Sequence, residues 1–138
     1  MEFSYHIEGG DFAQAGQASS HLKKILKSLN LDPALIRRTV VALYESEVNV
    51  VAHAWSGNIQ VSIETDCIRI KIGDTGPGIP DIGLAMQKGF STASAAVREM
   101  GFGAGMGLPN IKANSDVLEI QSIPGVGTEL LIINRIQT

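Results

Sequence analysis

The chain has 138 residues, a formal net charge of −3 at neutral pH, and 44% hydrophobic and 18% charged residues. This length and balance predict one globular domain over residues 1–138. A direct nucleic-acid partner is disfavoured, because phosphate contacts need a basic surface. A membrane partner is also disfavoured, because no apolar run approaches the ~20 residues of a spanning helix.

The compartment is suggested by the start of the chain and by its only cysteine. The first residues have neither the basic region nor the apolar core of a signal peptide. The single Cys67 excludes an internal disulfide and suits a reducing environment. We therefore expect a cytoplasmic protein.

Hydrophobic periodicity and capping residues define the elements of the first half. Asp11 is the expected cap of the first helix, and Asp32 followed by Pro33 is the start signal of the second. Isoleucine or valine then occupies every second position in two runs, a pattern that suits an antiparallel hairpin. The predicted elements are a strand over 2–8, helices over about 11–30 and 33–55, and strands over 59–63 and 68–72.

The second half is richer in glycine and turns. Its predicted elements are a short helix over 81–88, a loop over 89–105, a helix over about 107–114, and strands over 116–122 and 127–136. Helices that cover one face of such a sheet give an α+β fold. We expect a two-layer α/β sandwich with a mostly antiparallel mixed sheet.

The second predicted helix carries the first chemical motif. Glu45 and Asn49 are four residues apart and therefore lie on one helical face. A carboxylate beside a carboxamide can hold Mg²⁺ through oxygen ligands, and the carboxylate can act as a general base. The alternative for such a pair is a hydrated surface, but the apolar sequence around it makes a fully exposed face harder to place. Glu47 is a rival carboxylate on the opposite, apolar side, where it would need partners and could contact the backbone or the first helix.

The second motif is a turn directly after a predicted strand. Asp74 ends that strand, where its carboxylate can accept a hydrogen bond from an exocyclic amine such as that of adenine. Gly76 and Gly78, followed by Ile79, let the backbone curl round a flat ring. The alternative is an ordinary turn with a capping aspartate.

The third motif places a glycine at every second position over residues 101–107. Backbone N–H groups in such a loop form an anion site suited to phosphates. The spacing is neither that of a P-loop nor that of the dinucleotide-binding fingerprint. A flexible linker is the alternative.

In chain order, the three motifs are followed by a Gly125-x-Gly127-Thr128 segment before the last strand. The combination is far more specific than any of its parts. The sequence resembles the gyrase, chaperone and histidine-kinase ATPase superfamily, known as the Bergerat fold. The resemblance covers about residues 35–133. It implies that ATP and Mg²⁺ are bound.

The resemblance also implies a role for each matching residue. Asn49 corresponds to the Mg²⁺ ligand and Glu45 to the general base. Asp74 corresponds to the adenine-binding aspartate, with Gly78 beside it. Thr128 corresponds to the threonine that fixes adenine through a water. Residues 82–104 correspond to the ATP lid.

Further contacts follow from the same resemblance. The phosphate-wrapping segment corresponds to Gly103, Gly105, Gly107 and Leu108. The remaining nucleotide contacts correspond to His53, Gly76, Ile79, Arg98 and Met106. Arg98 and Lys88 in the lid could offset charge on the transferring phosphoryl group. His53 has the alternative of a structural histidine near the helix end, and Arg98 that of a surface residue.

Within the superfamily, the chain resembles the small anti-sigma factors and switch-protein serine kinases of bacteria. Three features carry this: an ATPase domain alone, a lid containing 89–92 (GFST), and the Gly107-Leu108-Pro109 opening of the next helix. Residues 93–100 lengthen the lid as an insertion. The resemblance implies a protein partner, either an anti-anti-sigma-like acceptor or a sigma factor, and allows a homodimer.

The function inferred is therefore that of an ATP-binding regulator that phosphorylates a partner on serine or threonine or sequesters it. A non-catalytic, nucleotide-gated binding module that regulates an enzyme complex is a second hypothesis. A stand-alone histidine-kinase ATPase that acts on a separate acceptor is a third. Only the first needs Glu45 as a base.

Overall fold

The structure is a computed structural model that describes residues 1–87 and 107–137. The strands are β1 (Glu2–Glu8), β2 (Ser56–Ile63), β3 (Cys67–Thr75), β4 (Val117–Ile123) and β5 (Gly127–Arg135). The helices are α1 (Gln17–Ser28), α2 (Pro33–His53), α3 (Ile82–Ala85) and α4 (Gly107–Ala113), and Phe12–Gln14 form a 3₁₀ turn. The order and type of these elements are as predicted.

The five strands form one sheet in the order β1-β2-β3-β5-β4, and each pairing is antiparallel. The expectation of a mostly antiparallel sheet therefore holds at every one of these pairs. One sheet face packs against the helices, and the other exposes polar side chains. The exposed side chains on that open face include Gln60, Arg69, Lys71, Glu119 and Glu129. The predicted two-layer α+β sandwich is confirmed.

Helix α2 occupies the centre of the helical layer. It begins as predicted, with Pro33 in its first turn and the Asp32 carboxylate accepting a hydrogen bond from Ala34 N at 3.1 Å. It contacts the sheet, α1 and α4. The side chains between α2 and these neighbours are fully buried, because protein interiors are closely packed. They include Leu22, Leu43, Ile59, Ile70, Ile111 and Ile132.

Helix α1 begins later than predicted. Asp11 makes no side-chain capping bond, and the chain forms only a 3₁₀ turn after it. Gly16 then adopts φ 97, a left-handed conformation that interrupts the helical path, and α1 starts at Gln17. Its first N–H groups are capped by Glu47 from α2. The prediction was wrong because that cap is a tertiary contact.

A buried amide ties the far end of α4 to the rest of the fold. Asn134 on β5 has no exposed surface. Its Nδ2 donates to Thr39 Oγ1 at 3.1 Å and to the Asn114 carbonyl oxygen at 3.0 Å, and its Oδ1 accepts from Asp116 N at 2.8 Å. The side chain therefore connects α2, the end of α4 and the start of β4.

Candidate functional site

Glu45 and Asn49 share one face of α2, as their spacing requires. Both side chains are half-buried. Burial raises the pKa of the Glu45 carboxyl, and a hydrogen bond from Asn110 opposes this shift. That bond is long, with Asn110 Nδ2 lying 3.4 Å from Glu45 Oε1. Glu45 is therefore a desolvated carboxylate that is only weakly held by its neighbours.

Glu47 is in a different environment although it lies only two residues further along α2. Its side chain has no exposed surface, and its oxygens accept from the backbone N–H groups of Gly16 at 2.9 Å, Ala18 at 3.2 Å and Ser19 at 2.8 Å. Burial raises the pKa of Glu47, and these hydrogen bonds lower it in part. The predicted structural contact of Glu47 with the first helix is confirmed.

Asp74 lies near the end of β3, directly opposite Gly57 on β2 and Thr128 on β5. Its Oδ1 accepts from the Thr128 N–H at 3.0 Å. No hydrogen bond from a residue within 1–87 or 107–137 reaches its Oδ2. Burial raises the pKa of this carboxyl, and the Thr128 hydrogen bond lowers it in part. Asp74 thus has one oxygen held by the fold and one able to accept from a ligand.

The turn after β3 is held against three neighbours. Gly76 lies against the end of α2, where an added Cβ would be 2.9 Å from the Ala54 Cα. Gly78 has φ 75, and a Cβ there would be 2.6 Å from the Ile123 carbonyl oxygen. Both positions therefore require glycine because backbone approaches them closely. The Ile79 N–H donates to Ser122 Oγ at 2.7 Å.

Gly107 at the start of α4 lies beside Asn49. A Cβ on Gly107 would be 2.5 Å from Asn49 Oδ1. Leu108 is buried in the core, which anchors this end of α4. The last glycine of the third motif therefore lies at the Glu45–Asn49 face of α2.

Several predicted site residues lie outside the described part of the chain. They are Lys88, Arg98, Gly103, Gly105 and Met106, together with most of the predicted lid at 82–104. Of the lid, the structure describes α3, whose cap is the Asp81 carboxylate accepting from Leu84 N at 3.0 Å.

His53 ends α2, one turn beyond Asn49, and is half-buried. Burial lowers the pKa of its imidazole, which favours the neutral form. Ala54, the next residue, carries the contact with Gly76. The last turns of α2 therefore run from Glu45 past Asn49 to the turn that follows Asp74.

The donor and acceptor groups of this region suit a nucleotide with a divalent cation. The Asp74 carboxylate and the Thr128 hydroxyl can meet a base edge. Glu45 and Asn49 provide the oxygen atoms that Mg²⁺ prefers. A raised pKa also makes Glu45 a stronger proton acceptor.

Sequence reasoning missed two polar residues of this region. Asn110 is the only described hydrogen-bond donor to Glu45. Ser122 contacts Ile79 N, Thr128 Oγ1 and the Gly127 carbonyl oxygen. An alternating serine on a strand resembles any hydrated surface position, so only the strand register could have revealed it.

Comparison with known families shows to which family the chain belongs. The family model described as "Histidine kinase-, DNA gyrase B-, and HSP90-like ATPase" matches residues 35–137.

The chain belongs to this ATPase family. Among its relatives are the serine/threonine-protein kinase RsbT of Bacillus subtilis (strain 168), 33% identical over 89% of this chain and 87% of that protein. The anti-sigma F factor of Thermoanaerobacter sp. (strain X514) is 31% identical over 93% of this chain and 92% of that protein. The anti-sigma F factor of Pasteuria penetrans is 29% identical over 99% and 89%.

These similarities place the ATPase in the anti-sigma and switch-kinase branch of its family, as the sequence predicted. They extend over nearly the whole length of each relative. Within the described ranges, the ATPase has no helix with the length and apolar character needed to cross a membrane.

Proposed function

We propose that this ATPase is a regulatory protein kinase that transfers the γ-phosphoryl group of ATP to a serine or threonine of a protein partner. Family membership and the names of two sets of relatives, a serine/threonine-protein kinase and anti-sigma F factors, support this function. The individual site residues are assigned to it on geometry.

The proposed catalytic role of Glu45 rests on the contrast between two carboxylates on α2. Glu47 is fully used as an acceptor for three backbone N–H groups. Glu45 is half-buried, has a raised pKa and is approached by one long hydrogen bond. Of these two carboxylates, Glu45 is the one that the residues of 1–87 and 107–137 leave able to accept a proton from a substrate hydroxyl.

We assign the base of ATP to the Asp74 end of the sheet. The carboxylate oxygen that Thr128 does not use can accept from the exocyclic amine of adenine. Gly76 and Gly78 lie where a side chain would collide with Ala54 or with the Ile123 backbone. The ring is therefore expected to be bordered by backbone here.

We assign Mg²⁺ to Asn49, whose amide oxygen is an appropriate hard ligand. The ion would neutralise phosphate charge. Gly107 keeps the space beside Asn49 Oδ1 open. Gly103, Gly105 and Leu108 complete the proposed phosphate segment.

In the proposed transfer, Glu45 accepts the proton of a serine or threonine hydroxyl. The hydroxyl oxygen forms a bond to the γ-phosphorus, the bond from that phosphorus to the β–γ bridging oxygen breaks, and ADP leaves with the electron pair. Arg98 and Lys88, outside the described residues, are proposed to offset charge on the transferring group.

Serine or threonine is favoured over histidine as the partner's acceptor, because one relative is named a serine/threonine-protein kinase. The imidazoles of His6 and His21 do not suggest autophosphorylation. His6 is hydrogen-bonded to Asn58 and Glu8, and His21 is bonded to Tyr5. Both belong to the β1 and α1 side of the fold. A phosphorylated partner should therefore carry acid-stable phosphate.

The partner is proposed to be a protein of the anti-anti-sigma class, a sigma factor, or both. The names of the anti-sigma F relatives support this partner class. Phosphorylation adds about two negative charges and would weaken an apolar interface on the acceptor. We further propose a cytoplasmic location, where ATP is the phosphoryl donor, and a homodimer as one assembly state.

The experiment is a transfer assay with γ-labelled ATP, Mg²⁺ and a small candidate acceptor protein of the anti-anti-sigma class. Label should appear on serine or threonine of the acceptor. Glu45→Gln should reduce transfer by about 10²-fold or more, the scale of general-base loss, while ATP still binds. Glu119→Gln is the matched control, since Glu119 lies on the open face of the sheet. Nucleotide-dependent binding without transfer would favour the non-catalytic binding module.

A further inference from the structure

Three polar side chains form a row across three neighbouring strands. Asp74 on β3 is directly opposite Thr128 on β5, and Thr128 is directly opposite Ser122 on β4. Directly opposed residues point to the same face of a sheet. The row therefore continues from the proposed adenine acceptor, through Thr128, to a serine that the known motifs of the chain do not include.

The Ser122 hydroxyl is the junction of this row with the turn after β3. Its oxygen accepts from the Ile79 N–H at 2.7 Å. It also lies 2.9 Å from Thr128 Oγ1 and 3.2 Å from the Gly127 carbonyl oxygen. Thr128 itself is only 8% exposed, so few other groups can orient its hydroxyl.

The hydrogen-bonding capacity of Ser122 leaves two arrangements. A serine hydroxyl has one hydrogen to donate, and the Ile79 N–H already occupies one of the acceptor positions of Ser122. If Ser122 donates to Thr128 Oγ1, the Thr128 hydrogen points into the site as a donor. If Ser122 donates to the Gly127 carbonyl, Thr128 donates to Ser122 and presents only an acceptor to the site. The second arrangement is the one that makes all three contacts hydrogen bonds, because the Gly127 carbonyl oxygen can only accept and Ser122 has a single hydrogen to donate.

We propose that Ser122 is a positioning residue that accepts the hydrogen of the Thr128 hydroxyl, so that Thr128 Oγ1 faces the site as an acceptor and holds a water that recognises the N1 edge of adenine. This inference rests on the proposed ATP site. Adenine presents a donor, its 6-amino group, next to an acceptor, N1. Asp74 meets the donor, and a water that donates one hydrogen to Thr128 Oγ1 can donate the other to N1.

The test compares ATP with 1-deaza-ATP, which keeps the 6-amino group but replaces N1 with a carbon. The wild-type chain should bind ATP about tenfold more tightly, the scale of one hydrogen bond in a partly buried site. Ser122→Ala should lower this ATP preference to about twofold, because the freed Thr128 hydroxyl can turn away. Loss of the Ile79 contact alone would weaken both nucleotides equally and leave the preference intact.

Two further variants complete the design. Ser122→Thr keeps a hydroxyl and should retain the preference, whereas Ser28→Ala, which removes a serine hydroxyl bonded within α1, should change nothing. If the alanine variant folds poorly, Ser122→Cys replaces it, because a thiol sulfur is a weak acceptor. An unchanged preference in Ser122→Ala or Ser122→Cys, or no preference in the wild type, overturns the role of Ser122 alone. No ATP binding by the wild type overturns the proposed function as well.

Discussion

Gly107 leaves room for the amide oxygen of Asn49, since a Cβ at position 107 would lie 2.5 Å from that oxygen. The two residues belong to different helices, α4 and α2. The atom in the way is the end of a side chain that can rotate. A collision here would therefore move the proposed metal ligand more readily than it would disturb the fold.

We expect Gly107→Ala to weaken the Mg²⁺-dependent part of ATP binding at nearly unchanged stability. Alanine is favoured over glycine within a helix by about 1 kcal/mol, which offsets the cost of rotating Asn49. ATP affinity should be measured by calorimetry with Mg²⁺ and with EDTA. Gly73→Ala is the control, because its Cβ would meet Glu129 only at 3.9 Å. An unchanged Mg²⁺ effect in Gly107→Ala would argue against Asn49 as the ligand.

Glu47→Ala should act on stability, because it removes the acceptor of three backbone N–H groups at the start of α1. Leaving such groups without an acceptor is expected to cost about 3 kcal/mol of unfolding free energy. Denaturant unfolding measures this loss. Glu45→Ala is the matched variant on the same helix and should cost much less. The opposite ranking would mean that the two carboxylates have been assigned the wrong way round.

The raised pKa of Glu45 predicts the pH dependence of phosphoryl transfer. A general base must be ionised, so activity should fall as pH decreases through the Glu45 pKa. Burial places that pKa above the ordinary glutamate value of 4.5. The acid limb of kcat, measured with saturating ATP and acceptor, should therefore lie above pH 4.5. A limb at or below that value would contradict a desolvated Glu45 as the base.

Asp74→Asn should remove most ATP affinity while leaving the melting temperature unchanged or higher. The pKa of Asp74 is raised in the folded chain, so its contribution to stability is present below the unfolded pKa and is lost as pH rises through the folded pKa. At pH 7 the buried charge is unfavourable, and asparagine removes it while its Oδ1 can still accept from Thr128 N.

Thermal melts at pH 7 with and without ATP would check this prediction. Asp66→Asn, in the exposed turn between β2 and β3, is the control and should keep the ATP-induced shift. A nucleotide shift that survives in Asp74→Asn would remove the basis for the adenine assignment.

Much of the fold could be predicted because its signals are local. Alternating isoleucines marked β2 and β3, and Asp32 with Pro33 marked the start of α2. The start of α1 could not be predicted, because its cap comes from Glu47, 31 residues beyond Gly16. A local pattern contains no information about such a contact.

The candidate site divides in the same way. Glu45, Asn49 and Asp74 belong to motifs whose spacing is visible in the amino-acid sequence. Ser122 and Asn110 act through neighbours that are distant in sequence, so their roles depend on strand register and helix packing. The chemistry assigned to the motif residues stays a prediction, which the proposed variants test.

Asn134→Ala should be among the most destabilising changes that leave the proposed site untouched. It removes the partner of Thr39 Oγ1, Asn114 O and Asp116 N at a fully buried position. A loss of about 2–4 kcal/mol is expected from unsatisfied buried groups and the cavity. Chemical denaturation would measure it, with Asn58→Ala, at an exposed position of β2, as the control.

The row formed by Asp74, Thr128 and Ser122 has a consequence for how the chain reaches its native state. Its members come from three strands, two of them the last in sequence. A slip of β5 by one residue would turn Thr128 to the opposite face. The proposed base recognition would therefore require the complete sheet in one register, and ATP would act as a ligand of the finished fold only. By mass action, the nucleotide would suppress misregistered states and partial unfolding of the C-terminal hairpin together.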